Sequence, residues 1–180
     1  NKLSEYTGAK HTIAVVNGTS AIHTALKVVG VQEGDEVITQ ALTFVATANA
    51  ITYCNAKPVF IDVDKDTMGM SPKALKSFLE EYGERRDQGV YNIKTGKRIS
   101  AVLPMHTFGF MCRISEIQTI CNEWGIPCME DAAEALGSQS EGKSAGSFGS
   151  LGAFSFNGNK IITAGGGGVI VSNNIELGMK

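Results

Sequence analysis

The chain has 180 residues, an apolar fraction of 43% and a formal charge of -2 from 16 basic and 18 acidic residues. This is enough for one sizeable domain with its own core, of ordinary globular composition. There is no long basic run and no apolar run of membrane-spanning length, which argues against nucleic acid and membrane as partners.

The first residues, Asn1-Lys2-Leu3-Ser4-Glu5, lack the apolar core of a signal peptide. Asn1 is not an initiator methionine, and the expectation is a chain that starts inside a longer protein. Cys54, Cys112, Cys121 and Cys128 form no C-x-x-C pair. No metal site is therefore expected, and free thiols fit a reducing cytoplasm. Cys54 and Cys121 read as small buried hydrophobes.

Ile13-Ala14-Val15-Val16 predicts a buried strand, which Asn17-Gly18-Thr19-Ser20 breaks. Ala21 to Val29 predicts a helix with Ile22, Ala25, Leu26 and Val29 on one face, capped by Thr19 or Ser20. A strand running into such a helix start suits an anion: free N–H groups point outward and Gly18 admits a phosphate. The same residues read equally as an ordinary N-cap. They form neither a P-loop nor a dinucleotide fingerprint.

Gly34-Asp35 predicts a turn, Glu36 to Thr39 a strand, and Thr43 to Tyr53 a helix. From residue type Phe44 reads as core, although an aromatic there can also stack on a flat cofactor. Lys57 to Val63 predicts a third strand. Ser71 as N-cap and Pro72 at the first helical position open a helix to about Glu84. The polar stretch from Glu84 to Lys97 reads as solvated surface, with Asn92 to Lys97 as a hairpin-type excursion or loop.

Ile99 to Met105 predicts a fourth strand, with His106 at its carboxyl end. Open α/β sheets bind ligands there, so His106 reads either as a pocket residue or as a satisfied structural histidine. Ile114, Ile117, Ile120, Cys121 and Trp124 make a core-facing helical stripe. A fifth strand, Ile126 to Met129, ends in Glu130-Asp131-Ala132-Ala133-Glu134. Asp131 is placed to hold a positive charge such as a protonated ring nitrogen; solvation or helix capping is the alternative.

Leu151 to Phe156 and Val169 to Val171 read as strands, and Gly165 to Ser172 as an antiparallel strand completing the sheet. Leu177 to Lys180 predicts the beginning of a helix. Between the two strands lies Lys160. A lysine at a strand end can be desolvated, lose its proton and attack a carbonyl to form a Schiff base. A solvated loop lysine is the plainer reading of that stretch alone. The alternation of strand and helix predicts an α/β fold with a mostly parallel sheet flanked by helices.

Four stretches in this order carry a resemblance: Asn17-Gly18-Thr19-Ser20, Thr43-Phe44, Glu130-Asp131-Ala132-Ala133-Glu134, and Ser155-Phe156-Asn157-Gly158-Asn159-Lys160-Ile161-Ile162-Thr163. Together they resemble the pyridoxal-phosphate-dependent sugar aminotransferases of the DegT/DnrJ/EryC1/StrS family, over essentially the whole chain. Asn92 to Gly96 and Pro104 to Gly109 look most like the branch that aminates 4-keto sugars on the way to legionaminic-acid-type sugars.

The resemblance implies the large domain of a fold-type-I aminotransferase over residues 1–180, without the C-terminal small domain, in a homodimer. It implies Lys160 as the Schiff-base lysine and Asp131 as the partner of the pyridinium nitrogen. Phe44 would stack on the ring. Gly18 and Thr19 would hold the phosphate, helped by Ser155 and Asn157. The substrates implied are an amino acid donor, glutamate, and a nucleotide-linked keto sugar. Many members carry glutamine where this chain has Glu134, at the position that contacts the ring hydroxyl. A carboxylate there repels a phenolate unless it is protonated or turned away. His106 is a substrate-pocket candidate. A sugar dehydratase of the same family is the nearest rival, but it carries histidine in place of the Schiff-base lysine. A non-catalytic homologue that binds the cofactor or sugar is another.

Overall fold

The structure, a computed structural model, describes residues 2–179; Asn1 and Lys180 lie outside it. The first half runs α1 (Lys2–Thr7), β1 (His11–Val15), α2 (Gly18–Val28), β2 (Glu36–Gln40), α3 (Val45–Tyr53) and β3 (Lys57–Ile61). Next come α4 (Pro72–Tyr82), β4 (Gly83–Arg86), β5 (Gly89–Asn92), β6 (Arg98–Leu103), α5 (Ile114–Trp124) and β7 (Met129–Asp131). A two-stranded ribbon, β8 (Gln139–Ser140) with β9 (Lys143–Ser144), precedes β10 (Leu151–Ser155), β11 (Gly168–Ser172) and α6 (Ile175–Gly178).

β3, β2 and β6 are parallel neighbours, as are β7 and β10. Parallel bridges Val102–Cys128 and Met105–Asp131 join β6 to β7. The central sheet therefore runs β3-β2-β6-β7-β10-β11-β1. Only β11 is reversed in it, antiparallel to both β10 and β1, as expected for the segment after the glycine run.

Side chains on a strand alternate between faces, so neighbouring residues enter different cores. Val37, Ala101 and Leu103 pack with Ile22, Leu26 and Ile51 of α2 and α3. Ile38 and Val102 pack on the other face with Leu75 and Leu79 of α4 and Ile114, Ile117 and Cys121 of α5. The result is helix, sheet and helix in three layers. Burying each large aliphatic side chain contributes about 1.5 to 3 kcal/mol.

Local chemistry sets the helix ends. Ser71 Oγ accepts from the Ala74 N–H at 3.4 Å with Pro72 following, as expected for α4. α5 stops at Gly125, whose φ of 69° favours glycine. α4 ends at Tyr82 rather than Glu84 because Gly83 is extended, and a Cβ there would meet the Leu79 carbonyl oxygen at 2.5 Å.

Two departures from the sequence reading have clear causes. The stretch read as solvated surface contains the β4–β5 hairpin, which pairs antiparallel with the first residues of β6. Its arginines are stacked rather than free: Arg85 lies 4.8 Å from the Trp124 ring centre and Arg86 4.6 Å from that of Tyr91. The fifth strand begins at Met129, not Ile126, and runs through both acids, pairing Glu130 with Gly152 and Asp131 with Ala153. All four cysteines are buried and free. No helix among the described residues is long and apolar enough to cross a membrane.

Candidate active site

β1, β2, β6, β7 and β10 point their carboxyl ends to one edge of the sheet, where open α/β folds place ligands. A cavity of about 260 Å³ lies there. Its walls bring together Gly18, Thr19, Phe44, Asp131, Glu134, Ser155, Asn157 and Lys160, which lie far apart in the chain.

At the end of β1 the cap of α2 is Asn17, not Thr19 or Ser20: Asn17 Oδ1 accepts from the Ser20 N–H at 2.7 Å. Asn17 is extended, so its side chain turns back over the first turn. The N–H groups of Gly18 and Thr19 have no acceptor within the helix and sit at its positive end. A Cβ on Gly18 would come 2.7 Å from Ser155 Cβ. Only glycine lets the helix start reach the end of β10, so both ends face one anion-sized space.

Phe44 is not core. It precedes the first turn of α3 in an extended conformation, is 60% exposed and lines the cavity. Its ring centre lies 5.4 Å from Lys160 Nζ. Asp131 is buried at the end of β7. Thr47 Oγ1 donates to its Oδ2 at 2.7 Å, and the Ala133 N–H to its Oδ1 at 3.1 Å. Burial pushes the Asp131 carboxyl above its ordinary range; Thr47, the Ala133 N–H, His106 and Lys160 pull it part of the way back. A cation brought to that carboxylate would supply the counter-charge that burial withholds.

Lys160 is the residue least like its plainer reading. Its side chain is 8% exposed, and Nζ donates to Glu134 Oε1 at 2.7 Å. Glu134 is turned toward the lysine. Buried lysines need such a partner.

His106 does not line the cavity. It is fully buried, with Nε2 3.0 Å from Glu130 Oε2 and Nδ1 3.6 Å from Cys112 Sγ. Burial disfavours charge on its ring, but the Cys112 and Glu130 contacts prevail and its pKa is pushed up to about 10. Glu130 also accepts from the Gly146 N–H at 2.8 Å and from the Phe148 and Gly149 N–H groups, each at 2.7 Å. This carboxylate staples the glycine-rich loop and the His106 turn to the strand that carries Asp131.

The sequence reading had no role for Thr47, Met105 or Gln40. Thr43 and Thr47 lie one helical turn apart, and Thr43 Oγ1 donates to Thr47 Oγ1 at 2.7 Å; that spacing is the one signal they carry. Gln40 Oε1 accepts from the Met70 and Met105 N–H groups at 2.9 and 3.0 Å, tying two strand ends together. A glutamine closing a fully buried strand was the available hint.

A sheet of this order, with a buried carboxylate and a paired lysine beyond its strand ends, defines the fold-type-I aminotransferase class. The chain belongs to the DegT/DnrJ/EryC1/StrS aminotransferase family, whose model matches residues 1–180. It is 47% identical over 173 residues to EpsN of Bacillus subtilis (strain 168), covering 96% of this chain and 42% of that protein. It is 39% identical to the GDP-perosamine synthase of Caulobacter vibrioides, covering 98% of this chain and 43% of the relative. The solved structure of NtdA from Bacillus subtilis with bound cofactor PMP superposes with a TM-score of 0.81 at 28% identity, covering 98% of this chain and 36% of that one. The chain thus spans less than half the length of the curated relatives it matches.

Proposed function

We propose that this chain is the cofactor-binding large domain of a pyridoxal-phosphate-dependent aminotransferase. The enzyme moves an amino group from an amino acid, glutamate, to the keto group of a nucleotide-linked sugar. The observation that carries the reading is the convergence of Lys160, Asp131 and the start of α2 on one cavity. The donor set fits the cofactor: helix-start amides and a hydroxyl for its phosphate, a carboxylate for its ring nitrogen, an aromatic face for its ring, and an amine for its aldehyde.

Bound pyridoxal phosphate supplies covalent capture of amino groups and a ring that withdraws electrons. The Gly18 and Thr19 amides, with Ser155 and Asn157, hold the phosphate. Asp131, fixed by Thr47 and the Ala133 N–H, keeps a proton on the ring nitrogen. Phe44, which lines the cavity beside Lys160, would lie against the ring. Lys160 would hold the cofactor through its aldehyde, and its amine is the group placed to accept and return a proton at the substrate carbon.

Lys160 favours transamination over the dehydratase reading, because the same nitrogen must both anchor and shuttle. The sugar contacts come from the part of the enzyme beyond this domain and from a second copy. Phe108 (80% exposed), Phe110 (73%), Ile161 and Ile162 form the apolar surface for that copy. The enzyme acts in the cytoplasm, where its four thiols stay reduced.

The test is an absorbance spectrum with added pyridoxal phosphate, before and after borohydride, followed by peptide mapping. A visible band and reduced cofactor on the Lys160 peptide are expected. No band and no labelled lysine, in this chain and in the full-length enzyme, overturns the reading. GDP-linked 4-keto sugars are the first acceptors to try, given the Caulobacter relative, with legionaminic-type precursors beside them.

A further inference from the structure

The Lys160–Glu134 pair has a consequence for how the site is loaded. Glu134 stands on the turn after β7, and Lys160 on the loop after β10. Their contact at 2.7 Å is the closest polar contact Lys160 makes through its side chain. The lysine side chain is 8% exposed and Glu134 28%, so water screens the pair less than it would on an open surface. Phe44 flanks the same nitrogen with a ring face that also favours a cation. The other charged group lining the cavity is Asp131, already engaged by Thr47 and the Ala133 N–H. A glutamine at 134 would present a neutral oxygen in the same place.

We propose that Glu134 is a positioning residue that latches the Lys160 ammonium, so that cofactor capture must break this ion pair first. The proposal rests on Lys160 being the cofactor-bonding residue. An ammonium has no lone pair to attack an aldehyde. For the nitrogen to react, one N–H bond must break and its proton must pass to solvent, leaving Glu134 as an uncompensated carboxylate beside a neutral amine. The latch therefore slows loading for as long as the Lys160–Glu134 contact holds. The latch also returns the nitrogen to one place over Phe44 whenever it is set free.

The test reads the nitrogen with and without cofactor. The chain and its Glu134→Gln and Glu134→Asp variants are treated with trinitrobenzenesulfonate, and the labelling rate of the Lys160 peptide is followed by mass spectrometry from pH 6.5 to 10. Loading with pyridoxal phosphate is timed by stopped flow in parallel. Unchanged far-ultraviolet dichroism shows that each variant is folded. Glu134→Gln should label and load about tenfold faster near neutral pH, the scale of one charge-assisted hydrogen bond. Glu134→Asp should restore part of the protection. Equal or slower labelling in Glu134→Gln across the range overturns the latch. Absence of cofactor on Lys160 in every variant overturns the aminotransferase reading and the loading role with it, whereas equal labelling with cofactor present on Lys160 overturns the latch alone.

Discussion

Two neighbouring acids, Glu130 and Asp131, end the same strand and have opposite fates. Glu130 faces the protein. Three backbone N–H groups and His106 surround its carboxylate, and none of its bonds leaves the core. Asp131 and, three residues on, Glu134 face the cavity, where each keeps contacts that a ligand can add to or replace. A carboxylate saturated by backbone holds the fold, and one with spare capacity facing a cavity is available for chemistry. Burial alone does not separate the two, because Glu130 and Asp131 are both inaccessible.

The contrast breaks most sharply at the lysine. In the full-length enzyme, Lys160→Ala should lower turnover by about a thousandfold or more while leaving the urea unfolding midpoint of this chain near wild type. A steady-state assay and an unfolding curve check both halves. On the other side, Glu130→Ala orphans three backbone N–H groups and the buried His106 ring. It should cost about 3 to 5 kcal/mol in urea unfolding, and a loss below about 1 kcal/mol would remove the staple from the account.

Gly18→Ala tests the close approach between the two strand ends. Its Cβ would sit 2.7 Å from that of Ser155, so the helix start must move. Overpacking of this kind costs about 1 to 3 kcal/mol, and cofactor affinity should fall with it, measured by titration of the absorbance band.

The most gradual effect is a pH slope. His106 is held charged up to about 10, above the 6.5 of a free imidazole. Its contribution is complete below pH 6.5 and is lost as pH climbs through the folded value. Stability should therefore fall between pH 6.5 and 10, by at most about 1.4 kcal/mol per pH unit. Near the top of that window Cys128 steepens the fall. Its thiol is held up by the Cys121 contact and by burial, so it stays protonated in the fold and ionises on unfolding. Unfolding curves at several pH values report the slope, and His106→Gln should flatten the portion below pH 9.

Much of the molecule was legible in the residues because local patterns repeat at fixed periods. The stripe from Ile114 to Trp124 matched α5 residue for residue, and the apolar runs located β1, β2, β3, β6, β10 and β11 to within a residue or two. The hairpin at Gly83–Asn92 was hidden because its support is Trp124 from another helix and the edge of β6. The cavity-lining residues were visible only as separate signals, each with a bland alternative. The structure decided between the alternatives by position: Phe44 went to the cavity mouth, His106 to the core, and Lys160 to an ion pair.

The physical reason for this division is range. Periodicity, capping and turn chemistry act within a few residues, so composition and order were enough for the α/β alternation, the single reversed strand and the lysine loop. Which acid is saturated depends on groups from distant parts of the chain: Gly146, Phe148 and Gly149 for Glu130, Thr47 for Asp131, and Lys160 for Glu134. Only the packed sheet sets those distances, and with them the roles of three carboxylates that look alike in the sequence.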